Sequence, residues 1–249
     1  VKNRNFIIGK EDLLKFLKDL NLQLLFSVKT QEKISFFAPC EVSEELFNLQ
    51  NLPTTKPLKN LFFPQVEYLF SFRLAKNKQV TNIQSVDLSN EKKVIFGVPA
   101  CEAKALRILD NVFSWDYKDD LYFNRRENFI LIVLACESPQ ITCFCKDFYP
   151  QGPLLREGDI FLIEDKDYFF AEILSEKVIY AIGDSYKKYF KELDNSYKKK
   201  KQEREEEILK NFPKKDIDLQ RLKRFLDENF EHPAWEELAE KCIGCGICT

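Results

Sequence analysis

Two stretches decide how this chain folds: Val94-Ile-Phe-Gly-Val-Pro-Ala-Cys101 and Asn128-Phe-Ile-Leu-Ile-Val-Leu-Ala-Cys136. Each is an apolar, β-prone run, and the second is the unbroken kind expected of a strand covered on both faces. Between them Ala105, Leu106, Leu109, Val112 and Phe113 recur at helical spacing. Strand, helix, strand predicts a parallel crossover unit, right-handed as such units nearly always are. Both runs end in a Cys. In a parallel pair the carboxyl ends share one edge of the sheet, where open α/β folds place their ligands. Cys101 and Cys136 are therefore expected to be neighbours. The loop after Cys136 supplies Cys143-Phe-Cys145 within ten residues, from a stretch with no helical period, so four thiols would converge on one point.

Such a set suits an iron–sulfur cubane, and it equally suits a four-cysteine zinc site, since spacing does not separate the two metals. A third reading is that these are small buried hydrophobes, a common fate of free Cys. Cys40, after the strand-like Ile34-Ser-Phe-Phe-Ala-Pro, has no companion and is read as a bystander.

The chain's last residues form a second thiol group, Cys242-Ile-Gly-Cys245-Gly-Ile-Cys248-Thr249. Thiolates two residues apart can turn from one tight loop toward three corners of an iron–sulfur cube. Gly244 and Gly246 remove Cβ groups where the backbone must wrap it. Zinc sites more often use two separated Cys pairs, or add His, so the ferredoxin-type reading is preferred here; the run is expected to continue past Thr249 to a fourth ligand.

Composition narrows the alternatives. Among 249 residues there are eight Cys and one His, His232, which leaves multi-His metal sites impossible. A Ser-His-Asp triad would need that single residue, and it sits in a turn beside Pro233. A net charge of −2 argues against a general nucleic-acid or anionic-membrane binder. No apolar run approaches the ~20 residues of a membrane span and no secretory signal opens the sequence, so a soluble cytoplasmic protein is expected. G-x-G-x-x-G and P-loop patterns are both missing from the sequence.

The organisation expected is an α/β domain over residues 1–184 carrying the four-cysteine site, a charged helical linker over 185–215, and a helical lead-in to a ferredoxin-like iron–sulfur domain over 216–249. In the first part a helix carries Leu13, Leu14, Leu17 and Leu20, strands follow near Leu24–Val28 and Ile34–Phe37, and Asn51–Pro57 reads as extended loop. Residues 159–173 read as a hairpin. Tyr186, Tyr189, Phe190, Leu193 and Tyr197 suggest one helical stripe capped by Asp184 or Ser185. Lys198–Glu207 reads as a solvated helix face or exposed linker, Pro213 as its stop, and Leu219–Leu226 and Trp235–Ala239 as two further helices. Trp235 is expected to pack against the loop of Cys242. Arg125 and Arg126 read as solvated or paired with Glu127.

Phe96-Gly-Val-Pro-Ala-Cys101-Glu, Leu109-Asp-Asn-Val-Phe113, Leu121–Asn128, Ala135-Cys136, Cys143-Phe-Cys145, Gly152-Pro and Cys242–Cys248 together resemble the 4Fe-4S dicluster iron–sulfur subunits. These are typified by the dicluster component of anaerobic sulfite reductase and the β subunit of NiFe sulfhydrogenases. Thr55-Lys-Pro-Leu-Lys59 and Phe63-Pro-Gln-Val-Glu67 look like that family too, although many relatives carry Arg-Pro where this chain has Val98-Pro. The resemblance implies an electron-transfer subunit of a multisubunit oxidoreductase. One [4Fe-4S] cluster would lie on Cys101, Cys136, Cys143 and Cys145, and one or two in the C-terminal domain begun by Cys242, Cys245 and Cys248. Partners would be a hydrogenase or sulfite/sulfur-reductase catalytic subunit on one side and a flavin- and NAD(P)-binding subunit on the other. A zinc-stabilised scaffold without redox activity is the alternative, and a thiol–disulfide enzyme using Cys143 and Cys145 is poorly served by C-x-C spacing.

Overall fold

A computed structural model describes residues 5–20, 24–32, 34–48, 54–75, 80–85, 92–140, 143–212 and 217–244. In chain order the strands and helices are β1 (Asn5–Gly9), α1 (Lys10–Asp19), β2 (Leu24–Gln31), β3 (Ile34–Cys40), β4 (Phe70–Leu74), β5 (Val80–Ser85), β6 (Lys93–Pro99) and α2 (Ala100–Val112). There follow α3 (Asp120–Asn128), β7 (Phe129–Leu134), α4 (Cys145–Phe148), β8 (Ile160–Asp165), β9 (Tyr168–Ile173) and α5 (Glu176–Ile182). The last are β10 (Lys191–Glu192), α6 (Asn195–Asn211), α7 (Leu219–Glu228) and α8 (Ala234–Glu240). The expected stop at Pro213 and the start of the expected loop, Asn51 to Pro53, lie outside the described residues.

Eight strands form one mixed sheet in the order β10-β1-β9-β8-β7-β6-β2-β3, and β4 and β5 pair separately. The centre is parallel: β2 with β6, β6 with β7, β7 with β8. The flanks are antiparallel hairpins, β2–β3 on one side and β8–β9 on the other, with β1 and β10 beyond β9. All six side chains of β7 are buried. Ile130, Ile132 and Leu134 enter a core with Phe16 and Phe169, while Leu131 and Val133 enter a second one with Leu106 and Tyr122. Two-sided burial, worth about 1.5–3 kcal/mol per large aliphatic side chain, is why the unbroken apolar run is the central strand.

Gly97 is the detail that sets the sheet's carboxyl edge. It has φ of 78° and lies where the β6–β7 register shifts, Phe96 opposite Ile132 but Val98 opposite Val133. This is a bulge of one residue, at a backbone angle that suits glycine. Beyond it Pro99 stands opposite Leu134. Cys101 and Cys136 are each two residues past that level pair.

Two expectations need correction. The aromatic stripe from Tyr186 is not one helix: Gly183–Lys188 forms a 3-10 turn, Lys191–Glu192 an edge strand on β1, and the helix starts only at Asn195. Its cap is Asp194, whose carboxylate accepts from the N–H groups of Ser196 and Tyr197 at 2.8 and 3.0 Å. The aromatics follow tertiary packing instead, Phe6 against Tyr186 and Phe190, Phe16 against Tyr189 and Phe190, with centroids 5.0–5.9 Å apart. Nor do Arg125 and Arg126 pair with Glu127. Arg125 bonds Glu67 and the Phe62 carbonyl, Arg126 meets Asp110 at 3.3 Å, and Glu127 is left to Lys118 at 3.9 Å.

Lys198–Glu207 is helical, within α6, and one of its faces is bound to the sheet. Lys201 and Arg156 converge on Glu172 of β9 at 2.7 and 3.1 Å, and Arg156 also reaches Glu205 at 2.6 Å. Ile208 is fully buried.

Candidate thiol centre

Cys101 is the second residue of α2, directly past β6, and Cys136 lies two residues past β7. The following loop returns as α4, a single turn that starts at Cys145. The chain then doubles back through a 3-10 turn at Gly152–Leu154 that braces the loop from below. The Pro153 carbonyl accepts from the Cys136 N–H at 3.3 Å. Gly152 lies so close that a Cβ there would stand 2.6 Å from the Cys145 carbonyl carbon and 2.7 Å from the Lys146 nitrogen. Only glycine fits that cradle.

Three of these thiols are displaced from the ordinary cysteine range. Cys101 is pushed up to about 12, first by desolvation, then by Glu102 and by the thiols of Cys136, Cys145 and Cys143. Cys101 keeps contact with solvent on one side, and protein crowds it on the others. Cys136 is likewise pushed up to about 12, by desolvation and then by Cys143 and Cys145. Cys145 is raised by desolvation and by Cys143, and partly drawn back by backbone groups of Lys146 and of Cys145 itself. The Gln140 N–H donates to the Cys143 sulfur at 3.2 Å. Without a cation Cys101, Cys136 and Cys145 are thus held as thiols, and a metal core binding them would release protons as the thiolates form.

The donor set is all sulfur, which fits zinc or an iron–sulfur core, and the Gly152 cradle keeps the Cys145 turn close-packed against its support. Among the described residues, no three or more Cys, His, Asp or Glu side chains are grouped so that they could hold a metal ion, so the four thiols are near one another without forming a closed ligand set. Glu102, the neighbour of Cys101, accepts from the Leu58 N–H at 3.1 Å and is raised by burial. It thereby ties the 3-10 turn Leu58–Leu61 to the start of α2.

Cys40 packs beside the α1 core with its thiol directed to the Leu25 carbonyl at 3.6 Å, away from the other four. Cys242 is exposed, just past α8, and Gly244 follows with φ of 66° and its N–H 3.4 Å from the Cys242 sulfur. Cys245, Gly246 and Cys248 lie outside the described residues. Trp235 donates from its indole to the Asn229 carbonyl at 2.7 Å, and His232 accepts from the Ala234 N–H at 3.1 Å, so the lone imidazole is spent on the first turn of α8.

Fold and site together define a mixed α/β protein with four thiols gathered from three chain segments at the carboxyl edge of a parallel sheet. No family model matches the chain. Over 200 residues it is 32% identical to the β subunit of sulfhydrogenase 2 of Pyrococcus furiosus, an alignment covering 79% of this chain and 55% of that protein. The chain is therefore similar to that sulfhydrogenase subunit over most of its own length, and it spans about half the length of the curated relative it matches. Among the described residues no helix is long and apolar enough to cross a membrane.

Proposed function

We propose that this chain is an iron–sulfur electron-transfer subunit of a hydrogenase-type complex in the cytoplasm. Cys101, Cys136, Cys143 and Cys145 hold one [4Fe-4S] cluster, and Cys242, Cys245 and Cys248 begin a ferredoxin-like domain with one or two more. Electrons pass between the catalytic subunit, of hydrogenase or sulfite/sulfur-reductase type, and a flavin- and NAD(P)-binding subunit. What supports the reading is geometry: Cys101 and Cys136 each follow the level carboxyl ends of β6 and β7, and the turn that starts at Cys145 is packed against Gly152, in a chain similar to a sulfhydrogenase β subunit.

A bound cluster supplies one-electron acceptance and release at a potential set by its surroundings. The chain's part is placement and tuning. Cys101 is the second residue of α2, at the positive end of a 13-residue helix dipole, a position that favours its thiolate form. The N–H groups at Gln140 and Gly244 donate to the sulfurs of Cys143 and Cys242. Such bonds disperse negative charge on sulfur and favour the reduced state.

The test is anaerobic purification followed by iron and acid-labile sulfide analysis and visible spectroscopy. Broad absorption that bleaches with dithionite, and is lost from the α/β part in Cys136→Ser, is expected. A colourless protein with stoichiometric zinc overturns the redox reading and supports the scaffold.

A further inference from the structure

The cysteine loop is gripped from one side by a single helix. Glu137 follows Cys136, and its carboxylate is bonded by Arg204 of α6. Lys146 follows Cys145, and its ammonium donates to the carbonyls of Leu209 and Phe212 at 2.6 and 2.8 Å, at the end of α6. Those carbonyls belong to the turn where a helix has no N–H of its own ladder left to accept from and where its dipole is negative. Arg204 also donates from Nε to the Glu164 carbonyl at 3.1 Å, so the grip is referred back to β8. Arg156, at the same helix, holds the Leu154 carbonyl of the bracing turn at 2.7 Å and Glu205 at 2.6 Å.

Resting on the reading above, we propose that Lys146 and Arg204 are positioning residues of the four-thiol centre. They lock both ends of the Cys136–Cys145 loop to α6, and Lys146 adds a positive charge beside Cys145. The charge run that reads as solvated in sequence is on this account the wall of the site. The same contacts hold the end of α6 against the turn that carries Cys145.

Lys146→Met keeps the aliphatic stem and removes the two donated bonds and the charge, whereas Lys146→Arg keeps donors and charge. Lys199→Met, which alters only an exposed pair with Glu203, is the control. In metal-free protein, amide hydrogen exchange over residues 208–212 is expected to speed up at least tenfold in Lys146→Met, with alkylation of Cys145 rising, and Lys146→Arg restoring both. In iron-loaded protein the reduction potential of the α/β cluster is expected to fall in Lys146→Met and to return in Lys146→Arg. Unchanged exchange and alkylation in Lys146→Met overturn the grip. Faster exchange in a protein that binds zinc alone leaves the grip standing and removes the electron-transfer reading instead. A grip confirmed by exchange, with a potential identical in all variants, overturns the charge contribution.

Discussion

Replacing Gly152 by Ala tests the architecture of the centre at its tightest point. The new methyl would meet the Cys145 carbonyl carbon at 2.6 Å, the Lys146 nitrogen at 2.7 Å and the Cys145 oxygen at 2.8 Å, against about 3.4 Å for ordinary contact. All three are backbone atoms of the turn that carries Cys145, so no side chain can swing aside. Relief requires a displacement of about 0.8 Å between the bracing turn and the loop, more than the ~0.5 Å tolerance of a preorganised site. Overpacking of this kind costs about 1–3 kcal/mol, roughly 2–12 °C in Tm for a chain of this size. Gly158→Ala provides the comparison. It collides with the Val133 side chain at 2.6 Å at a φ of 83°, and so destabilises the sheet at a distance from the thiol loop. Thermal unfolding and iron and sulfide content are measured on both. Gly152→Ala is expected to lose stability and cluster together, Gly158→Ala to lose stability with cluster retained in the folded fraction. Gly152→Ala with native Tm and full iron would refute the cradle.

Three further outcomes follow from individual contacts. In metal-free protein the thiols of Cys101 and Cys136, near 12, carry roughly a thousandfold less thiolate at pH 8 than an ordinary cysteine; mass-resolved alkylation should be slow at both and accelerate steadily from pH 8 to 10. Glu172 is raised by burial but drawn down further by the Lys201 hydrogen bond and the Arg156 charge, to a net position below 4.5. Its contribution is present above pH 4.5 and lost as pH falls through the lower folded value, so Glu172→Gln should flatten the acid limb of a stability–pH curve. Asp159 accepts from the buried Leu131 N–H at 2.8 Å through its carboxylate while its own N–H donates to the Leu131 carbonyl at 3.0 Å; Asp159→Ala strands the Leu131 donor and should cost about 1–3 kcal/mol in urea unfolding.

What was legible in the sequence was whatever rests on local periodicity. The two cysteine-ended strands, strands β2 and β3, the β8–β9 hairpin and helix α1 lie where pattern and packing agree, while α7 and α8 follow their periodicity with their apolar side chains exposed. The segment around Tyr186 failed because its aromatic spacing satisfies a helix equally well as a 3-10 turn followed by an edge strand. Only the partners Phe6 and Phe16, some 170 residues away, decide between them. The bulge at Gly97 is a property of register against β7, invisible in either strand alone. The docked face of α6 was hidden for a different reason. Lys201 and Arg204 satisfy their charges on Glu172 and Glu137, so docking there leaves little apolar signature beyond Tyr197, Ile208 and Leu209.

The two thiol groups differ in what their assembly requires. Cys242, Cys245 and Cys248 are adjacent by spacing, so local chain geometry is enough to bring them together. Cys101, Cys136 and the Cys143–Cys145 loop meet only when β6 and β7 are in register past the Gly97 bulge and the Gly152 turn has closed behind them. A ligand of those four sulfurs binds the folded sheet and not the open chain, and its binding free energy adds to the stability of the whole α/β core. A ligand on the inner thiols would thus report on folding of the whole sheet, whereas one on the terminal motif would need only its own loop.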